Sequence, residues 1–198
     1  HQSTSAPIIP VTYAAAHMVV DAQDSEQELQ VAIGLANLAL DQHSKRGHQI
    51  LVQASHALVK ADKQDKKWRN LCAAWVQHLG AHLYSQMPVD TYLLTPQGQI
   101  HLPPLSSGQA DNYFTHLLQV WWLAMHEPLP LSLQLGMQLV ADKPPSDAGM
   151  AAAYELDLQQ SGHYLQRHFP YLVDMDRVRC AELAKLVYAP LQANVELM

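Results

Sequence analysis

At 198 residues, with 48% apolar side chains, the chain can build one substantial core or two small ones and is not composed like a disordered segment. A net charge of −6 excludes a protein that coats DNA by bulk positive charge. Two cysteines, Cys72 and Cys180, argue against a disulfide framework and fit a reducing, cytoplasmic setting; no run approaches the roughly 20 apolar residues of a spanning helix.

The chain opens at His1 and not at a Met, as expected of a piece of a longer protein, and its own first residues are not a charged-then-apolar leader, which an excised piece would have lost. Residues 1–28 form an extension: a Ser/Thr/Pro-containing start, an apolar stretch Tyr13–Val20 suited to a strand, and an acidic end from Asp21 to Glu28. Strands are predicted at 29–41 and 48–58, joined by the polar turn Ser44–Gly47. Their nearly continuous apolar runs suit strands covered on both faces. Trp68, Leu71, Cys72, Trp75 and Leu79 recur every three or four residues and predict a helix over 64–84, with Asp62 and Asp65 near its start. A hairpin follows, Thr91–Thr95 and Gln99–Leu102 around Pro96–Gly98, and Pro103 and Pro104 end the strand pairing. Ser106 or Ser107 caps a helix over 108–126. Its Tyr113, Phe114, Leu117, Leu118, Trp121, Trp122 and Met125 cover two faces, which calls for a central position. Pro128 and Pro130 stop that helix. An amphipathic segment at 131–141, a Pro-rich break at Lys143–Pro145, and short helices at 147–158, 162–169 and 176–189 complete the chain.

The two early strands carry the first chemical question. Read as a pair, they bring Asn37 and Gln53 close together. Two carboxylates there would hold Mg²⁺, because hard cations need charged oxygen ligands; two amides offer carbonyl oxygens without charge. The pair is either ordinary sheet core or a site stripped of its acids.

Other motifs are weaker. Among twelve histidines, His78 and His82 share a helix face, while His43, His48 and His56 gather around the first hairpin and His163 and His168 lie late in the chain. No HExxH pattern or third ligand accompanies any of them, so no metal is expected. There is no G-x-S-x-G, no P-loop and no reactive cysteine context, so no nucleotide cofactor is expected. Trp68, Trp75, Trp121 and Trp122 have helical spacing that favours core packing over base stacking. Seven of the twelve basic residues, Lys45, Arg46, Lys60, Lys63, Lys66, Lys67 and Arg69, fall in one stretch. Such a patch suits phosphate or an acidic partner, and a solvated hairpin turn and helix start is the simpler alternative.

Several short elements occur in the order found in one family. Trp75-Val-Gln-His-Leu79 resembles the W-x-x-H-L helix segment of the C-terminal domain of the exodeoxyribonuclease V gamma subunit, RecC. Leu102-Pro-Pro-Leu105 resembles that family's strand exit, and Met125-His-Glu-Pro128-Leu-Pro130 its G-M-x-x-P-L-P segment, with Ala124 where Gly is common. Ala152-Ala-Tyr154-Glu155 is similar to its A-x-Y-E-G element, with Leu156 where Gly is usual. Tyr188-Ala-Pro190-Leu191 is similar to its L-Y-x-P-L ending, which places Met198 near the natural terminus. The resemblance covers about 48–192, and 29–47 more weakly.

The resemblance implies an α+β fold: a PD-(D/E)XK nuclease-like mixed sheet flanked by helices, with a helical C-terminal portion, spanning 29–198. It also implies lost activity. Active relatives carry an acid in a G-x-x-D strand, and an acid and a Lys in a D-x-K strand. Gly34-Leu-Ala-Asn37 and Val52-Gln53-Ala54-Ser55 occupy those places, so Asn37, Gln53 and Ser55 replace both acids and the Lys. A slip of register would not restore them, since no acid lies in Val31–Leu40 or Ile50–Lys60. Without those carboxylates the metal that activates water and stabilises the phosphoryl transition state has no seat. The implied role is a non-catalytic domain of the RecBCD helicase–nuclease in double-strand break repair by recombination, contacting the RecB and RecD subunits and guiding or splitting DNA, with no cofactor and no membrane. Two alternatives remain: an active Mg²⁺-dependent nuclease drawing on Asp21, Asp41 or Asp65, or an unrelated α+β interaction module. A mixed sheet with element order αβββαβ supports the nuclease-like fold, and an all-helical bundle excludes it.

Overall fold

The computed structural model describes residues 9–18, 27–35, 37–41, 43–52, 59–60, 65–66, 68–95, 98–143, 145–160 and 163–198. They form an α+β protein in two compact units, 1–118 with 194–198, and 119–193.

In the first unit, β1 (Ile9–Met18) and β2 (Gln27–Leu35) form an antiparallel two-stranded ladder with an irregularity between Ala15 and Met18. The single strand expected at 29–41 is instead two strands. Asn37 has φ 50°, in the left-handed region that Asn tolerates better than most residues, and breaks the extended run. Beyond it, β3 (Leu38–Asp41) turns into β4 (Arg46–Val52) as an antiparallel hairpin. The expected partner of 48–58 is therefore only the last piece of 29–41, while β2 pairs with β1. Residues 53–58 lie outside the described residues.

Two short strands, β5 (Val59–Lys60) and β6 (Asp65–Lys66), pair antiparallel before α1 (Trp68–Ser85) begins. The helix thus starts four residues later than expected, at the first residue of its apolar period, and Asp65 belongs to β6. Gln86, at φ 55°, ends α1 with its side chain donating to the Leu83 carbonyl at 2.6 Å. The chain then enters β7 (Val89–Thr95) beside β4 and parallel to it, so that β4, α1 and β7 make a strand–helix–strand crossover. The expected hairpin forms between β7 and β8 (Gly98–Leu102). Strand β9 (Glu196–Leu197) returns to pair with β8, giving a mixed five-stranded sheet in the order β3-β4-β7-β8-β9.

Alternation along the strands decides what α1 covers. Gly47 and Gln49 of β4 are buried, while His48, Ile50 and Val52 are exposed on the opposite face. Leu71, Trp75, Leu79 and Ala81 of α1 and Val89, Leu93, Ile100 and Leu102 of the sheet make the core. Gly47 is required by close approach: a Cβ there would lie 2.9 Å from Val89 Cγ2.

Helix α2 (Ser107–His126) is capped by Ser106, whose Oγ accepts the Gln109 N–H while Gln109 Oε1 accepts the Ser106 N–H. Its buried stripe within the first unit is Ala110, Phe114 and Leu118. Contrary to the expectation of a wholly central helix, Trp121 is 47% and Met125 66% exposed, so the second apolar face is open toward its end.

The second unit is helical: the end of α2, then α3 (Leu133–Leu139), α4 (Asp147–Gln160), α5 (His163–His168), a 3₁₀ turn at Leu172–Asp174, α6 (Arg177–Val187) and α7 (Ala189–Ala193). Leu135, Met150, Tyr154, Leu165, Met175 and Cys180 form one cluster and Val120, Leu129 and Leu183 another. The Tyr154 hydroxyl donates to the Phe169 carbonyl, and Arg179 pairs with Glu127. Gly136 lets α3 approach closely, since a Cβ there would meet the Tyr188 ring at 2.7 Å. Both cysteines are free, and burial pushes each thiol up to about 11, which leaves them inert. Among the described residues no helix is long and apolar enough to cross a membrane.

Candidate functional site

The acids of a metal-dependent nuclease are expected on the β3–β4–β7 part of the sheet. Asn37 lies at the open end of the β3–β4 hairpin and is exposed. Its Nδ2 donates to the Ile50 carbonyl at 3.1 Å, and its own carbonyl accepts the Ile50 N–H at 3.4 Å. The side chain is therefore a donor that closes the strand pair, a task an ionised Asp cannot perform. Gln53 and Ser55, expected to converge with Asn37, lie outside the described residues.

One amide on β4 is deeply placed. Gln49 is fully buried under α1. Its Nε2 donates to Gln77 Oε1 at 3.3 Å, and its Oε1 accepts from the Thr91 hydroxyl at 3.2 Å. Thr91 Oγ1 is in turn 2.8 Å from His78 Nδ1. This row crosses from β4 to β7 to α1, and all its members are neutral. Burial, with repulsion from His82 second, drives the His78 imidazole down to about 3.

The spacing of His78 and His82 does place both rings on one face of α1, 4.7 Å apart and edge-on. His78 uses Nδ1 in the row and its Nε2 is buried without a hydrogen-bond partner among the described residues, whereas both nitrogens of His82 are committed. His82 Nδ1 donates to the Met87 carbonyl at 3.1 Å, and Nε2 accepts the Leu105 N–H at 3.2 Å. That pattern fixes a neutral ring bracing two loops, and burial keeps its pKa lowered. Among the described residues no group of three or more His, Cys, Asp or Glu side chains is arranged to hold a metal ion.

Of the acids that an active nuclease would recruit, Asp41 is engaged in the turn. Its two oxygens accept from the His43 N–H at 2.9 Å and the Ser44 hydroxyl at 2.8 Å. The Ser44 bond and then the His43 bond hold its carboxyl below the usual range. Asp21 lies outside the described residues.

The basic stretch is distributed over several elements. Lys45, at φ 51°, and Arg46 sit together at the exposed β3–β4 turn, and Arg69 is exposed in the first turn of α1. Lys60 and Lys66 belong to the β5–β6 ladder, opposite Asp65 and Val59. Lys63 and Lys67 lie outside the described residues. Of the four tryptophans, Trp75 is a core residue at 2% exposure.

Sequence reasoning missed a second cluster, on the other face of β7 and β8. His101 Nε2 is 2.8 Å from Asp90 Oδ1 and its Nδ1 is 2.9 Å from Glu196 Oε2. Its ring stacks on Tyr92 at 4.8 Å and 14°. The pairing of Thr95 with Gly98, one residue earlier than the predicted turn allows, sets Tyr92 opposite His101, and nothing local announces a two-residue strand 95 positions away in sequence.

The family model described as the RecC C-terminal domain matches residues 2–143. No curated protein matches the chain. The elements at 152–155 and 188–191 lie beyond the matched residues; there, Tyr154 is a buried core residue and Glu155 is exposed.

Proposed function

The chain belongs to the RecC C-terminal domain family, and we propose that it acts as a non-catalytic domain of a RecBCD-type helicase–nuclease in recombinational DNA repair. In this reading it binds the sister RecB and RecD subunits in the cytoplasm and guides or splits DNA strands, on a degenerate PD-(D/E)XK scaffold spanning 29–198. The observation that carries it is the family match across strands whose sequence, Val31–Leu40 and Ile50–Lys60, contains no Asp or Glu. Three features support it. The parallel β4–α1–β7 crossover suits a nuclease-like sheet. The buried row at its centre is neutral, so it offers no charge to balance Mg²⁺. Asn37 serves the hairpin as a donor.

The exposed Lys45 and Arg46 are the proposed DNA or partner contacts, together with Lys60, Lys63, Lys66, Lys67 and Arg69. The test is binding of the chain to the sister helicase subunits and to forked DNA at several salt concentrations. Capture of at least one is expected, and reversing Lys45 and Arg46 to Glu should lower fork affinity and flatten its salt dependence by about two counterions. Binding to neither subunits nor fork would count decisively against this reading.

A further inference from the structure

We propose that His101 is a pH-sensitive latch that ties strand β9 to the sheet when its ring is charged and releases Glu196 first when the charge is lost. The geometry is a cross-strand sandwich. Tyr92 and His101 are register partners on β7 and β8, and His101 and Glu196 are partners on β8 and β9. The imidazole bridges Asp90 on one side and Glu196 on the other, at 2.8 and 2.9 Å.

Only the imidazolium carries two N–H groups, so only the charged ring satisfies both carboxylates. A neutral ring keeps one N–H and turns a lone pair toward the other carboxylate. Exposure decides which acid is abandoned. The Asp90 side chain is 10% exposed and Glu196 59%. Leaving a buried carboxylate unpaired costs far more than returning an exposed one to water. The neutral ring therefore keeps Nε2–H on Asp90 and lets Glu196 go. Strand β9 is then held by its backbone pairing and by the Met198 N–H donating to the Gln99 carbonyl at 3.2 Å.

The groups facing the ring define the direction of the switch. Burial opposes the charge, but the hydrogen bonds and charges of Asp90 and Glu196 outweigh it, and the pKa of His101 is raised from 6.5. Tyr92 contributes a ring face, His48 on β4 lies opposite Asp90 in register, and His78 on α1 is neutral. A raised folded-state pKa means that the tie is complete below the unfolded value and is lost as pH rises through the folded one.

The experiment is NMR on the full 198-residue chain, following His101 ring nitrogens and amide exchange at 196–198 from about pH 6 to about pH 9, corrected for intrinsic exchange. Protection should fall about tenfold as His101 loses its charge, with the neutral ring in the Nε2–H form. Glu196→Gln, an exposed change that leaves the fold intact, should remove most of that step and lower the His101 midpoint. A ring that titrates while protection stays constant, a neutral ring protonated on Nδ1, or an unchanged step in Glu196→Gln would each overturn the proposal.

Discussion

Trp75→Ala is expected to destabilise the first unit by about 3–5 kcal/mol, the largest loss from any single truncation in the sheet–helix core. The indole is 2% exposed, stacks on His78 at 5.6 Å and meets Tyr113 at 6.0 Å. Truncation removes that packing and opens a void beside the neutral polar row that includes His78. The loss is comparable to the roughly 5–15 kcal/mol that holds a typical domain together. Trp75→Phe should cost much less. It keeps an aromatic ring and removes Nε1, which is buried without a hydrogen-bond partner among the described residues. Because the chain has two units, the readout should be residue-level hydrogen exchange, not a single melting curve. Equal losses for Ala and Phe would show that the indole's volume is not what matters.

Asp157→Ala should destabilise the second unit by roughly 3 kcal/mol. Asp157 is 4% exposed, and its two oxygens accept the Gln134 N–H at 2.9 Å and the Leu135 N–H at 3.0 Å. These are orphan donors of the first turn of α3, whose N-cap Ser132 makes no side-chain cap bond. A carboxylate from α4 therefore does the capping, and its charge also suits the helix dipole. Alanine leaves two buried donors bare. Asp157→Asn keeps one good acceptor and should lose about half as much. Exchange protection at Gln134 and Leu135 is the direct readout; unchanged protection in Asp157→Ala would refute the capping role.

What was legible in the sequence follows from range of interaction. Helices α1, α2, α4 and α6 were readable because their apolar spacing, Ser106 cap and Pro stops are local signals. The β7–β8 hairpin was readable because its turn lies between its strands. The strand 29–41 was misread because a continuous apolar run hides a break set by the dihedral angle of Asn37. The start of α1 was misread because charged residues near Asp65 resemble a helix N-terminus, whereas Asp65 pairs with Lys60 across a short ladder. The candidate site divides in the same way. The lack of acids in two strands is a statement about residue types and was visible at once. The burial of Gln49 depends on which face α1 covers, and the bridging of His101 depends on β9, so neither could be read locally.

Digestion of linear duplex DNA by this chain, with and without Mg²⁺, tests most directly whether the fold is a scaffold without nuclease chemistry. The expected result is no Mg²⁺-dependent cleavage, with Asp41→Ala behaving as the unaltered chain because Asp41 serves the turn. Mg²⁺-dependent cleavage that disappears on changing Asp21, Asp41 or Asp65 to alanine would contradict it.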